Sequence, residues 1–302
     1  MGLAASRTGH HEQRRRWGTN CGALGRIESV VGRESLAGIR RGRRIAHGAN
    51  LDPSDPGVGS HTLLKVRVVS LVPSATETLA TWGADPVACT RFCGRPDLEH
   101  VGGTKNPDIA AITALQPDLV VVDREENRRD DYDALLAAGL EVEVLHIAAL
   151  DDVAPELARL AGRIGVDWQP EPLPDRAALP PLPHPSGSAR TVRVFVPIWR
   201  RPYMTVGAAT YGVSLLEYCG VQVAFADRPE TYPTLSEEDL RSEPVDLVLA
   251  PTEPYEWHRR HFDELTAIGP AHLIDGQDLF WWGTRTPAAV TRVAQTIARA
   301  LA

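Results

Sequence analysis

The side chains best suited to chemistry in this sequence sit in short segments that follow apolar runs. Thr90-Arg91-Phe92-Cys93-Gly94-Arg95-Pro96 and Val101-Gly102-Gly103-Thr104-Lys105-Asn106-Pro107 are two of them, and Asp123-Arg124-Glu125-Glu126-Asn127 is a third. Three more lie later in the chain: Ile198–Met204 with Trp199, Arg200, Arg201 and Tyr203, Pro251–Tyr255 with Glu253, and Gly276–Arg285 with Trp281, Trp282 and Arg285. Each mixes aromatic, arginine or carboxylate side chains with glycine or proline. Such a mixture suits a pocket for a large, partly apolar ligand with polar edges. Arg91, Arg200, Arg201 and Arg285 have the donor geometry to grip phosphate or carboxylate, although a solvated surface explains an arginine equally well. Trp199 and the Trp281–Trp282 pair suit either ligand contact or the cover of an edge.

Nucleophilic and metal chemistry are weakly supported. The sequence has no Gly-x-Ser-x-Gly elbow, P-loop, Gly-x-Gly-x-x-Gly or His-Glu-x-x-His. Cys89 and Cys93 are four apart without a nearby histidine, so a four-ligand zinc site is not expected. Cys93 is the best single soft ligand, a buried structural thiol being its plainer reading. His258 and His261 share a predicted helix face with no matching carboxylate. Lys105, beside a predicted helix start at Asn106-Pro107, could hold an anion. The metal, if there is one, is left open.

These segments need a scaffold that presents loops at strand ends. From Val66 onward, apolar runs alternate with helical patterns. Strands are expected over 66–72, 86–89, 118–122, 141–145, 191–197, 221–225, 245–250 and 272–274. Helices are expected over 74–82 (Ser74 as cap, with Glu77 at capping-box spacing), from Asn106-Pro107, and over 127–138 and 151–164. Others fall at 208–219, 236–241, 257–267 and 286–301. The helix over 151–164 shows a stripe of Val153, Leu157, Leu160 and Ile164. Pro117-Asp118-Leu119-Val120 and Val245-Asp246-Leu247-Val248 each follow a short helix, with Glu125 and Glu253 seven residues beyond the aspartates. The expected fold is therefore α/β, with two doubly wound parallel-sheet lobes and a ligand cleft between them. The expected boundaries are a first lobe over 66–150, a connecting helix and Pro-rich linker over 151–190, and a second lobe over 191–302. Seven of the 24 prolines fall in 168–190, which excludes a continuous helix there.

Composition narrows the function further. The 302 residues carry a formal charge of −7, which disfavours nucleic acid as a partner. No apolar run approaches a membrane span, so a membrane-spanning chain is not expected. Four cysteines do not make a disulfide framework. Residues 1–60 hold ten arginines, five acidic residues and 11 of the 25 glycines. Residues 1–65 read as a disordered or spurious extension, with translation beginning at Val66. Neither a signal peptide nor a lipobox is recognisable, so a cytoplasmic location is expected, or a cell-surface one if the true start differs.

Pro73-Ser74-Ala75-Thr76-Glu77 followed by Leu115-Gln116-Pro117-Asp118-Leu119-Val120 resembles the class III substrate-binding proteins, or helical-backbone metal receptors, over about 66–302. The likeness is to their cobalamin-binding members, within a subgroup that lacks export signals. The resemblance implies two lobes, a corrinoid or related metal chelate between them, no permanently bound cofactor and no enzymatic activity. It also implies an ABC importer whose permease docks on one glutamate per lobe. Glu77 matches the first, in Pro-x-x-Thr-Glu. Glu238 matches the second, in Ser-x-Glu after Tyr-Pro. On this reading the ligand contacts come from Arg91, Phe92, Cys93, Lys105, Glu125, Trp199, Arg200, Tyr203, Glu253, Trp281, Trp282 and Arg285. The alternative is a cytosolic chelate-modifying enzyme, with Cys93 as thiolate and Glu125 or Glu253 as base, or a metal-ion binding protein.

Overall fold

The apolar run at Val66 becomes the central strand of a sheet in the computed structural model, which describes residues 66–302. The arginine-rich extension expected over 1–65, and with it the expected start at Val66, lies outside the described residues. β1 (Val68–Ser70) is buried along its whole length, as a parallel strand covered on both faces must be. After it come α1 (Pro73–Thr81), β2 (Ala88–Cys89), β3 (Glu99–His100), β4 (Gly102–Gly103) and β5 (Asn106–Pro107). Next are α2 (Ile109–Ala114), β6 (Leu119–Asp123), α3 (Arg129–Ala137), β7 (Val142–Leu145) and α4 (Leu150–Ile164). The first sheet has the parallel order β3-β2-β1-β6-β7.

The second half contains β8 (Arg193–Phe195), β9 (Tyr203–Met204), α5 (Tyr211–Tyr218), β10 (Gln222–Val223), β11 (Thr234–Leu235) and α6 (Glu237–Ser242). It ends with β12 (Leu247–Pro251), α7 (Phe262–Leu265), β13 (Ala271–Ile274), α8 (Gly276–Phe280) and α9 (Thr286–Leu301). Its sheet runs parallel in the order β10-β8-β12-β13. Strand order reverses beside β1 in one sheet and beside β8 in the other. In such sheets ligands collect outside the carboxyl ends at that reversal.

The repeated Asp-Leu-Val has a physical basis. Asp118 Oδ2 accepts the Arg67 amide at 2.8 Å, and Asp246 Oδ2 accepts the Arg193 amide at 2.8 Å. In return the Asp118 and Asp246 amides each donate to the carbonyl of that arginine. Each aspartate thus pins the start of β1 or β8 to the start of β6 or β12.

One apolar cluster passes through both halves. It includes Val72, Ala75 and Leu79 of the first, Leu157 and Leu160 of α4, and Leu216, Trp282, Val290 and Val293 of the second. The proline-rich segment after α4 is an extended strap with a single 3-10 turn at Arg176–Ala178. It is anchored where Trp168 packs on Trp82, with ring centres 5.5 Å apart. Tyr218 Oη also donates to the Pro174 carbonyl at 2.7 Å.

Several local expectations are corrected. α1 begins at Pro73, whose fixed φ suits the first helical position, so Ser74 falls inside the helix and the Ser74–Glu77 capping box does not form. Asn106-Pro107 is a strand of a hairpin closed on Gly102–Gly103. Asp108 caps α2 instead, accepting the Ala111 amide at 3.0 Å. The helix expected over 257–267 is reduced to a 3-10 turn and α7, because Trp257 turns inward and donates to the Pro197 carbonyl at 2.7 Å. Conversely, Asp275 caps a short helix, α8, where a loop was expected.

Gly283 joins the halves. Its φ is +135°, and a Cβ there would collide with the Thr78 hydroxyl on α1. Gly283→Ala should therefore lower stability by about 1–3 kcal/mol through backbone strain and the clash. Adding Thr78→Ala should restore only part of the loss. Urea denaturation measures both, and full recovery in the double variant would rule out backbone strain at Gly283.

Candidate functional site

The end of β6 organises the first half of the site. Asp123 is 2% exposed. One of its carboxylate oxygens accepts the Glu125 and Glu126 amides at 2.8 and 3.2 Å, and the other is buried without a partner. Burial lifts its pKa to about 8. Asn127 holds the same turn from behind: its Oδ1 accepts the Asp123 amide, and its Nδ2 donates to the Thr104 and Leu71 carbonyls. One side chain thus ties the β6 turn to the β4–β5 hairpin and to the end of β1.

Glu125 projects from this turn. Lys105, at the hairpin tip, donates to the Glu125 carbonyl at 2.5 Å. The helix start expected beside Lys105 is replaced by the hairpin, which places its ammonium against this carbonyl. The Glu125 carboxylate accepts Tyr232 Oη at 2.9 Å, a bond between the two halves. Burial raises the pKa of Glu125 and lowers that of Lys105. Tyr232 is pushed well above its ordinary range by burial and by Glu125.

Across from them, Glu253 follows β12. It is packed tightly on Gly276, where a Cβ would lie 2.6 Å from the Glu253 amide nitrogen. Burial raises the Glu253 pKa, Trp281 hydrogen bonds to it, and Glu126 of the first half repels it. A cavity of about 460 Å³ opens here at the carboxyl ends of β12 and β13, lined by Thr252, Glu253, Leu273, Ile274, Asp275 and Gln277. Lys105, Glu125, Glu253 and Trp281 are therefore brought into one neighbourhood at the strand ends. Asp123, Glu126 and Tyr232 join them. The sequence placed Asp123 in the segment after a strand without singling it out, and marked Tyr232 only by its place before Pro233 and a capped helix.

Other expected residues are placed differently. Arg200 and Tyr203 both bond to Glu264, so Arg200 is held by a carboxylate of its own chain. Arg285 lies over the Trp281 ring at 5.6 Å, bonds to Asp278 at 3.2 Å and reaches Glu77 at 3.5 Å. Arg91 stacks over Phe92 at 4.7 Å, and Phe92 is 51% exposed. Trp199 meets Tyr255 edge-on, with ring centres 5.6 Å apart. Trp282 is in the shared core and Cys93 is buried, so neither is presented on an open wall. Glu238 is exposed on α6, while Glu77 is partly occupied by Arg285. His258 precedes and His261 ends a 3-10 turn rather than both sitting on an α-helix face, and His261 packs against Trp257. Among the described residues no group of three His, Cys, Asp or Glu side chains is arranged for a metal ion.

The wall at the strand ends is thus rich in carboxylates, and Arg200 and Arg285, expected to grip the ligand, are engaged by acidic partners. Such a surface favours hydrogen-bond donors and cations and opposes carboxylate ligands.

No family model matches the sequence. The vitamin B12-binding protein of Pectobacterium carotovorum is 28% identical over 204 residues, covering 62% of this chain and 71% of that one. The periplasmic vitamin B12 binding protein of Vibrio cholerae superposes with a TM-score of 0.59 at 19% identity, over 78% of this chain and 97% of that one. A periplasmic haem-binding protein from Roseiflexus superposes with a TM-score of 0.62 at 19% identity, over 79% and 100%. The fold is that of these periplasmic binding proteins, and the sequence is similar to vitamin B12-binding proteins. These are names of binding proteins and not of enzymes, in line with the expectation of a non-enzymatic chain. The expected cytoplasmic location is corrected as well: the solved neighbours are periplasmic, which points outside the cytoplasm. No helix among the described residues is long and apolar enough to cross a membrane.

Two outcomes follow for the buried acids. An unfolded Asp123 ionises near about pH 4, while the folded one keeps its proton to about pH 8. Between those values the folded chain holds a proton that the unfolded chain has lost, so stability falls as pH rises through the window and levels off above it. Asp123→Asn, which keeps the amide acceptor, should flatten that fall in urea midpoints taken across pH 5–8; an equal fall in both proteins would exclude Asp123 as its source. Tyr232→Phe removes a donor from a buried carboxylate and should cost about 1–3 kcal/mol, read by the same denaturation. A change within error would mean the bond between the halves is not formed in solution.

Proposed function

We propose that this chain binds a corrinoid, cobalamin-like, between two lobes outside the cytoplasm, as the substrate-binding component of an ABC importer. The lobes are residues 66–150 and 191–302, with α4 and the strap as connector. The ligand is cargo, not a resident cofactor. The likeness to vitamin B12-binding proteins supports this reading, and so does the fold.

The observation that carries the choice of ligand is the acidic wall formed by Glu125, Glu126, Glu253 and Asp275. A corrinoid presents a ring of neutral amides, which donate hydrogen bonds to carboxylates. Haem presents two carboxylates, which this wall repels while Arg200 and Arg285 are held by Glu264 and Asp278. Phe92 and Trp281 supply apolar surface at the edges. A corrinoid is larger than the 460 Å³ cavity, so its entry breaks the Glu125–Tyr232 bond. Glu77 and Glu238 then offer one carboxylate each to basic residues of a permease.

Calorimetric titration of the full chain with hydroxocobalamin and with haem tests the choice. Hydroxocobalamin should bind one-to-one at micromolar affinity or better, about −8 kcal/mol, and haem at least tenfold more weakly. Haem binding as tightly or tighter would overturn it. For the importer, Glu238→Arg should leave that binding intact and abolish corrinoid uptake by cells; unchanged uptake would remove the permease from the reading.

A further inference from the structure

Where the strap returns to the second sheet, three side chains line up as carboxylate, imidazole and hydroxyl. The His184 side chain is 2% exposed. Its Nε2 lies 3.2 Å from Asp246 Oδ2, and its Nδ1 lies 2.8 Å from Ser186 Oγ. Asp246 is the aspartate that pins β8 to β12. Besides the imidazole, its carboxylate accepts the Arg193 amide at 2.8 Å and Arg190 Nη2 at 2.6 Å. The backbone fixes the tautomer. The Ser186 amide is 3.1 Å from His184 Nδ1, and an amide can only donate. Nδ1 is therefore the unprotonated nitrogen, the ring proton sits on Nε2 facing Asp246, and the Ser186 hydroxyl donates to Nδ1. This is the polarity that lets an imidazole take a proton from a hydroxyl nucleophile. A turn presents the serine. The Gly187 amide donates to the His184 carbonyl at 2.8 Å, closing His184-Pro185-Ser186-Gly187 over the ring. Ser186 is exposed, and Gly187, at φ +70°, has open space around it, so a reagent reaches the oxygen from solvent.

We propose that Ser186 is an acylation site that takes an acyl group from activated esters, with His184 as its base and Asp246 positioning the ring. Ser186 Oγ attacks the acyl carbon of the donor. The new O–C bond forms as the bond from that carbon to the leaving oxygen breaks. The hydroxyl proton passes to His184 Nδ1 and from there to the departing oxygen, so one ester is exchanged for another and one alcohol is released. The Ser186 and Gly187 amides are already engaged by His184, so neither is free to hold the oxyanion that a poor donor would need. The site is therefore restricted to donors with a good leaving group. A single transfer to the chain's own serine is a modification and not turnover, and it does not depend on the ligand at the strand ends.

The full chain is incubated with p-nitrophenyl acetate, quenched in acid, digested with trypsin and sequenced by mass spectrometry. Cleavage after Arg176 and Arg190 gives the peptide Ala177–Arg190, which carries Ser186 and, as an internal control, the exposed Ser188. Ser186 should be acetylated at least tenfold faster than Ser188 in the folded chain, and in concentrated urea its rate should fall to that of Ser188. His184→Gln keeps an acceptor for the hydroxyl but cannot take its proton. It should slow Ser186 at least tenfold, since a positioned base supplies about 10²–10⁴-fold. Its urea midpoint shows whether it is folded, and the comparison of the two serines in the unaltered chain decides the matter without it. Equal acetylation of Ser186 and Ser188 in the folded chain, or an undiminished Ser186 rate in folded His184→Gln, would overturn the proposal.

Discussion

One run of apolar side chains holds the two parallel sheets in a common frame. Ala75 and Leu79 reach it from α1 and Val72 from just before it, Leu157 and Leu160 from α4, and Leu216, Val290 and Val293 from the far side. Each valine or leucine among them contributes about 1.5–3 kcal/mol when fully buried. Separating the halves as rigid bodies would expose many of them at once. The contact of Gly283 with α1 adds a steric constraint at the same seam. Movement at the strand ends is therefore confined to contacts that break singly, of which the Glu125–Tyr232 bond is the clearest.

Burial sets the electrostatics of those ends. Asp123 keeps its proton because burial disfavours the charged form and its second oxygen has no donor from the protein. Its first oxygen shapes the turn that carries Glu125 and Glu126. Lys105 is spent on a backbone carbonyl rather than on a carboxylate. The result is a region where negative charge outweighs positive charge although the sequence is rich in arginine. Arg200, Arg285 and Arg292 each find an acidic partner within the second half.

Much of this was readable in the order of residues. The stripe of α4 and the span of α9 follow from periodicity alone, because each packs one apolar face on a core. The paired Asp-Leu-Val segments announced two related sheets, and their aspartates perform the same pinning bond in each. Local choices between near-equal options were not readable. Asn106-Pro107 suits a helix start as well as a strand, and tertiary pairing with Gly102–Gly103 decided it. Nor could arginine partners be read, since Glu264 lies 64 residues from Arg200. Tyr232 and Asp123 matter only through contacts that no spacing encodes.

Hydrogen–deuterium exchange of the full chain with and without hydroxocobalamin tests the central claim, that one ligand engages the carboxyl ends of both sheets. Added protection should appear in both the 123–127 turn and the 252–277 region, with α4 and α9 unchanged. Protection confined to one half, or none, would contradict it.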